Sequence, residues 1–342
     1  MRRKRLNILF TCVGRRVSLL ESFRRAMGEL DVSGRLVGAD ITIASPAFQK
    51  ADRGVLVPRV DDPRYLGRLL RLVRQERVGL LVPLTDLDLP LLAEHQGRFA
   101  EMGCTVMIGS PRAVAICRDK ARTSALVERA GLASIRTHTL RQFLRRPFYP
   151  CFVKPTHGSA GIGSAVIRDR GQLTAHAGQF GRDLVVQEYV PGREYTVDVY
   201  RSRAGQVHAI VPRQRLEVRS GEVEKAVTVK DRAVMQAARK LAEGLTGLWG
   251  AFCCQCRRPD GSAGQDPKFF EINPRFGGGA PLSIAAGADL PLYLLQDVLG
   301  LPITGQVGRF TNRLLMLRYD QAVFTKVADP ARLPGYHCPL FR

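Results

Sequence analysis

Glu271, Asn273 and Arg275 stand at alternate positions in residues 268–283, KFFEINPRFGGGAPLS. A strand repeats its side-chain direction every two residues, so the three side chains share one face. A carboxylate and an amide oxygen suit a hard divalent cation such as Mg²⁺. A guanidinium two residues on can meet the charge of a phosphoryl group in transfer. The alternative is a buried strand end with a structural ion pair, but Asn-Pro, Arg-Phe and three glycines make a strange finish to an ordinary core strand.

Two lysines precede this run. Lys154 ends the apolar segment YPCFVKP at 149–155 and feeds the loop THGSAGIGS at 156–164. The loop's backbone N–H groups, those of Gly158, Ser159 and Gly161 among them, can wrap phosphate oxygens while Lys154 supplies charge. The spacing is not that of a P-loop, and the loop fits a flap between two strands. Lys120 sits in the first turn of an amphipathic helix at 119–131, which follows the Ser110-Pro111 break and closes on Gly131. Residues 184–199, LVVQEYVPGREYTVDV, read as a hairpin through a Pro-Gly turn. Its edge can offer backbone to an adenine rim at Glu188 and Val190, and Glu194 to ribose hydroxyls.

What positions these residues is legible in outline. The first hundred residues alternate short apolar runs with helical patterns, which implies a parallel sheet covered by helices on both faces. Its first turn, TCVGRRVS at 11–18, holds one glycine where a dinucleotide fingerprint needs three, so a Rossmann-like scaffold without its usual cofactor is expected, although Asp40 ends the second strand. The 342 residues suit two or three domains, and the 45% hydrophobic content can fill them. No stretch of eighteen uncharged apolar residues occurs, so a cytoplasmic protein with no membrane partner is expected. Eight scattered cysteines fit reduced thiols, and the Cys253, Cys254 and Cys256 cluster lacks a second half for zinc. A net charge of +21 raises nucleic acid as a partner, but the arginines are dispersed and no basic run exceeds four, so nucleic acid is not expected.

Lys120, then Val153-Lys154-Pro155 with its glycine flap, then Gln187-Glu188-Tyr189-Val190 with Glu194, then Glu271-Ile-Asn273-Pro-Arg275 together resemble the ATP-grasp superfamily, in particular single-module relatives of the carbamoyl phosphate synthase large chain. The resemblance covers nearly the whole chain. It implies an α/β and α+β architecture: a Rossmann-like pre-ATP-grasp domain at 1–110, a small ATP-grasp lobe with linker helix and flap at 111–190, and a C-terminal lobe at 191–342 with the metal and catalytic residues. It implies an ATP-dependent ligase that activates a small carboxylate as an acyl phosphate for attack by an amine. Lys120 and Lys154 would hold phosphates, Gln187, Glu188 and Val190 would surround adenine, and Glu194 would hold ribose. Gln255, Glu271 and Asn273 would bind Mg²⁺ or Mn²⁺, and Arg275 would steady the transferring group. The physical demands of phosphoryl transfer, positioning and charge neutralisation, agree.

Departures narrow the activity. Carbamoyl phosphate synthases carry two such modules and a second arginine where this chain has Gly278, so bicarbonate chemistry is doubtful, and no biotin-carrier segment is evident. Phosphoryl transfer of the carbamoyl or kinase type to a small acid, and an ATP-binding subunit without turnover, stay as alternatives. In 211–225, Arg213, Arg215 and Lys225 would line one strand face, with Lys225 toward nucleotide and Arg213 toward a substrate carboxylate or, equally, an exposed salt-bridged strand. Gly14, Arg15 and Asp86 are the remaining substrate candidates, and a homodimer is left open. A helix over 282–299, interrupted near Gly287 and Pro291, and a strand over 312–319 complete the reading.

Overall fold

A computed structural model describes residues 4–156, 163–219, 221–259 and 266–327. The chain divides into two compact units. One comprises Met1–Pro111, Pro291–Pro302 and Tyr319–Arg342, the other Arg112–Leu290 and Ile303–Arg318.

The first unit is a parallel five-stranded sheet of β1 (Asn7–Thr11), β2 (Leu36–Asp40), β3 (Arg53–Leu56), β4 (Val78–Pro83) and β5 (Thr105–Val106), in the order β3-β2-β1-β4-β5. β1 and β2 are buried along their whole length, as strands covered on both faces must be. Helices Val17–Glu29 and Arg64–Glu76 turn apolar stripes inward, Leu19, Leu20 and Phe23 on one and Leu69, Leu72 and Val73 on the other. The chain runs outward from β1 through β2 to β3 and then crosses to β4, so the sheet changes winding direction between β1 and β4. β3 carries little sequence signal, because it is short and only Val55 of its four residues is buried.

The second unit holds two antiparallel sheets. The smaller contains β6 (Thr137–Thr139), β7 (Cys151–Pro155), β8 (Ala165–Ile167) and β9 (Leu184–Glu188), in the order β6-β9-β7-β8. The larger contains β10 (Arg193–Arg201), β11 (Val207–Arg219), β12 (Glu222–Thr228), β13 (Gly250–Arg258), β14 (Lys268–Asn273) and β15 (Leu315–Leu317), in the order β14-β13-β10-β11-β12-β15. Residues 184–199 are therefore not a hairpin: β9 and β10 lie in different sheets, and the Pro-Gly turn carries the chain from one to the other. The flap does join a paired hairpin, β7 and β8, with Cys151 opposite Ile167. The segment before β6 ties the sheets together, since Ile135 N donates to Phe269 O and Phe269 N to Ala133 O while Thr137 pairs with Gln187.

Alternation in the larger sheet sets its two faces. Tyr195, Val197 and Val199 of β10 and Phe252, Cys254 and Cys256 of β13 pack with Leu126, Val127, Ala238 and Leu241, residues of helices Lys120–Arg129 and Arg232–Gly244. The intervening residues, Glu194, Thr196 and Asp198 on β10 and Cys253, Gln255 and Arg257 on β13, face the other way. Helix Lys120–Arg129 begins where Asp119 accepts from the N–H groups of Ala121 and Arg122, and Gly131 beyond its end has φ +63°, which spares a side-chain clash. The 282–299 helix, expected to be interrupted near Gly287 and Pro291, is two, Ala280–Ala285 and Leu290–Val298, with Gly287 at φ +101° between them.

Candidate active site

The polar face of the larger sheet is built in rows. β10 lies between β11 and β13, so each of its outward residues has a neighbour on either side. In the first row Arg257 is the direct cross-strand neighbour of Glu194. Arg257 Nη2 donates to Glu194 Oε2 at 2.8 Å, and Arg215 Nη1 donates to Oε1 at 2.7 Å from β11. In the second row Arg213, Thr196, Gln255 and Glu271 stand abreast, and in the third Cys253 faces Asn273.

Gln255, Glu271 and Asn273 thus converge from two adjacent strands as hard oxygen donors, a set that fits a small divalent cation. Asn273 Nδ2 donates to Glu271 Oε1 at 3.1 Å, and Arg275 Nη2 to Asn273 Oδ1 at 3.4 Å. Arg275 Nη1 also donates to the Phe276 carbonyl at 3.1 Å. Cys253 lies on the same face, but burial raises its thiol to about 12, so it stays neutral beside the oxygen donors. Among the described residues no cluster of three His, Cys, Asp or Glu side chains offers another metal site. Asp266, in the loop between β13 and β14, is exposed, and Asp260 lies outside the described residues.

A cavity of about 390 Å³ opens in this unit, lined by Lys120, Lys154, Gln187, Glu188, Val190, Glu194, Gln255 and Glu271 among others. Residues from four separate motifs therefore meet in one place. Phe152, Val166, Ile135 and Phe270 supply its apolar wall. Lys120 Nζ donates to the Thr156 carbonyl at 3.4 Å, at the entrance to the flap. Lys154 is largely enclosed, and burial, opposed by Glu271 and assisted by Lys120, lowers its pKa from 10.5 to about 8. Glu188 is held by Lys268 Nζ at 2.8 Å and by the Arg136 N–H at 3.3 Å, while Gln187, buried, donates to Thr137 Oγ1 at 2.9 Å. Gly158, Ser159, Gly161 and His157 lie outside the described residues.

Two expected residues stand elsewhere. Lys225 is exposed on β12 and paired with Glu217 at 2.5 Å, away from the cavity wall. Arg213 is not a free substrate ligand. Its side chain is 1% exposed, with Nε and Nη2 on the two oxygens of Asp198 at 2.7 and 3.0 Å, and Ser283 Oγ also donates to Asp198 at 2.6 Å. The glycine loop lies directly over this pair. A Cβ on Gly277 would stand 2.9 Å from Asp198 Oδ1, and one on Gly279 2.2 Å from Arg213 Nη1. Glycine at 277 and 279 is what lets the chain from Asn273 and Arg275 cross a buried ion pair.

Gly14, Arg15 and Asp86 belong to the first unit. Gly14 has φ +45° and its N–H donates to Asp40 Oδ2 at 2.8 Å, while Asp40 Oδ1 accepts from Ile41 N, so Asp40 serves the turn. Arg15 is exposed and Asp86 half-buried. Arg257 and Lys268 were missed from the sequence. Arg257 was findable, because it follows Gln255 by two on one strand; Lys268 was not, because an irregular register between β13 and β14 breaks the alternation.

Residues 180–321 match the family described as ATP-grasp in the biosynthetic pathway with Ter operon, 122–221 the D-ala D-ala ligase C-terminus, and 8–107 the PylC-like N-terminal domain. The chain is 21% identical over 212 residues to the D-alanine–D-alanine ligase of Clostridium beijerinckii, covering 55% of this chain and 69% of that one. It is 31% identical over 159 residues to the D-alanine–D-alanine ligase of Granulibacter bethesdensis, covering 41% of this chain and only half of that one. The biotin carboxylase domain dimer of the Hydrogenobacter thermophilus 2-oxoglutarate carboxylase, solved with MgADP, ADP and bicarbonate, superposes with a TM-score of 0.69 at 16% identity, covering 90% of this chain and 73% of that one, a likeness of fold.

Proposed function

The chain belongs to the ATP-grasp superfamily, and from that premise we propose that it is an ATP-dependent carboxylate–amine ligase. The observation that carries the reading is the convergence of Lys120, Lys154, Glu188, Val190, Glu194, Gln255 and Glu271 on one cavity. In it the backbone of Glu188 and Val190 meets the adenine edge, Glu194 accepts from the ribose hydroxyls, and Lys120 and Lys154 neutralise phosphate oxygens. Mg²⁺ or Mn²⁺, held by Gln255, Glu271 and Asn273, supplies charge neutralisation on the phosphates when bound.

A carboxylate oxygen of the acid substrate attacks the γ-phosphorus and the bond to the β–γ bridging oxygen breaks, giving ADP and an acyl phosphate. The amine nitrogen then attacks the acyl carbon, phosphate leaves and the nitrogen gives up its proton. The protein's part is positioning and electrostatics: Arg275, tethered by Asn273 and the Phe276 carbonyl, offers its guanidinium to the group in transfer. The acid and amine are small molecules. We propose a homodimeric, cytoplasmic protein, the first point drawing on the dimer named for the Hydrogenobacter domain.

The test is ADP release with Mg²⁺ and a pooled set of amino acids and small carboxylic acids, run beside Arg275→Ala. Release that needs a pool member and fails in the variant supports the ligase, and splitting the pool then identifies the acid. Release that needs an acid but no amine, with a stable phosphorylated acid as product, replaces it with a kinase.

A further inference from the structure

The row Arg215, Glu194, Arg257 goes beyond simple charge balance. Each oxygen of Glu194 accepts from a different guanidinium, and the two arginines approach from opposite flanking strands. Each oxygen retains lone-pair capacity for a further donor. Arg257 does a second thing: its Nη1 donates to the carbonyl of Val190 at 3.4 Å. One guanidinium therefore spans the carboxylate on β10 and the backbone that leads out of β9. Arg215 Nε is buried and has no hydrogen-bond partner among the described residues, and Arg215 lines the cavity, so it keeps a donor for a ligand.

We infer that Arg257 and Arg215 are positioning residues that fix Glu194 as an aimed, ionised acceptor for the hydroxyls of a ribonucleotide, and that Arg257 couples this sugar contact to the backbone at Val190. The inference rests on the reading of the cavity as a nucleotide site. A glutamate side chain loses rotamer freedom when it is ordered, and two charge-assisted bonds impose that order before ligand arrives, so little of the hydroxyl bond energy is lost to ordering. Without Arg257 the carboxylate regains its freedom, and the strand end at Val190 loses its link to it. Ribose recognition is then lost while the phosphate lysines and apolar wall still bind the rest of the nucleotide.

The experiment is calorimetric titration of the full chain, with Mg²⁺, by ATP and by 2′,3′-dideoxy-ATP. The wild type is expected to prefer ATP by roughly ten- to hundredfold, the worth of hydroxyl bonds to a charged acceptor. Arg257→Ala should bind the two within about threefold of each other, by loss of ATP affinity alone, and Arg257→Lys should recover part of the preference. Arg215→Ala should lower the preference too, and carries the test if Arg257→Ala does not fold. Wild-type preference in a folded Arg257→Ala protein overturns the positioning role and leaves the nucleotide site standing. Equal binding of both nucleotides by the wild type also overturns the role, whereas no binding of either overturns the nucleotide reading itself.

Discussion

Lys154 offers a quantitative handle on the cavity. Burial brings its pKa from 10.5 to about 8, with Lys120 adding to the fall and Glu271 and Glu194 opposing it. At pH 9 the ligand-free side chain is then roughly nine-tenths deprotonated. A bound polyphosphate reverses the balance, because several negative oxygens in a low-dielectric pocket favour the ammonium form. The protein should therefore take up close to one proton per ATP at pH 9 and none at this group below pH 7, with affinity falling as pH rises through about 8. The full excursion is about 3 kcal/mol, reduced by whatever solvent reaches the cavity mouth. The sign for the fold itself is the reverse of the usual lysine: the penalty of a buried ammonium is present below about pH 8 and fades as pH climbs toward 10.5, where the unfolded chain also loses the proton. Calorimetry at pH 9 in two buffers of different ionisation enthalpy reads the proton count directly, and Lys154→Met should abolish the buffer dependence. Tight ATP binding at pH 9 with no buffer dependence in the wild type would refute the reasoning.

The buried Arg213–Asp198 pair and the loop above it yield two further expectations. Asp198→Ala leaves a guanidinium buried without its partner and should lower stability by about 3 to 5 kcal/mol, read by urea unfolding through the single tryptophan, Trp249; adding Arg213→Met should restore much of it, and a loss under about 1 kcal/mol in Asp198→Ala would contradict the account. Gly279→Ala forces a methyl to 2.2 Å from Arg213 Nη1 and 2.8 Å from Val223, so ADP release should fall at least tenfold, while Gly97→Ala, with open space around it, should leave release unchanged.

The chemistry of the site was legible wherever one strand carried it. Glu271, Asn273 and Arg275 follow from a period of two and need no knowledge of neighbouring strands. Gln255 came instead from the family resemblance, and the register places it opposite Glu271. Period alone gives a face and not a depth, which is why Arg213 read as a possible ligand: its enclosure comes from Asp198 on one strand and Ser283 on a distant helix. The 184–199 segment shows the same limit in the backbone. A Pro-Gly turn announces a change of direction, but whether the next strand pairs with the last or joins another sheet depends on partners elsewhere in the chain, here β7 for β9 and β13 for β10.

The glycines stacked on the buried pair make positions 198, 213, 277 and 279 a single unit of inheritance. Arg213 fills the space a Cβ would need at position 279 and Asp198 crowds the one at 277, so the pair closes both positions to larger residues, and the same arginine cannot shorten without opening a void beneath the loop. Substitutions here should drift together or not at all. In a library of random variants the four would behave as one site, with alanine or serine tolerated at 279 only in backgrounds where Arg213 has already given way to a smaller side chain, and the order in which such changes arise would be fixed by sterics before selection on activity has any say.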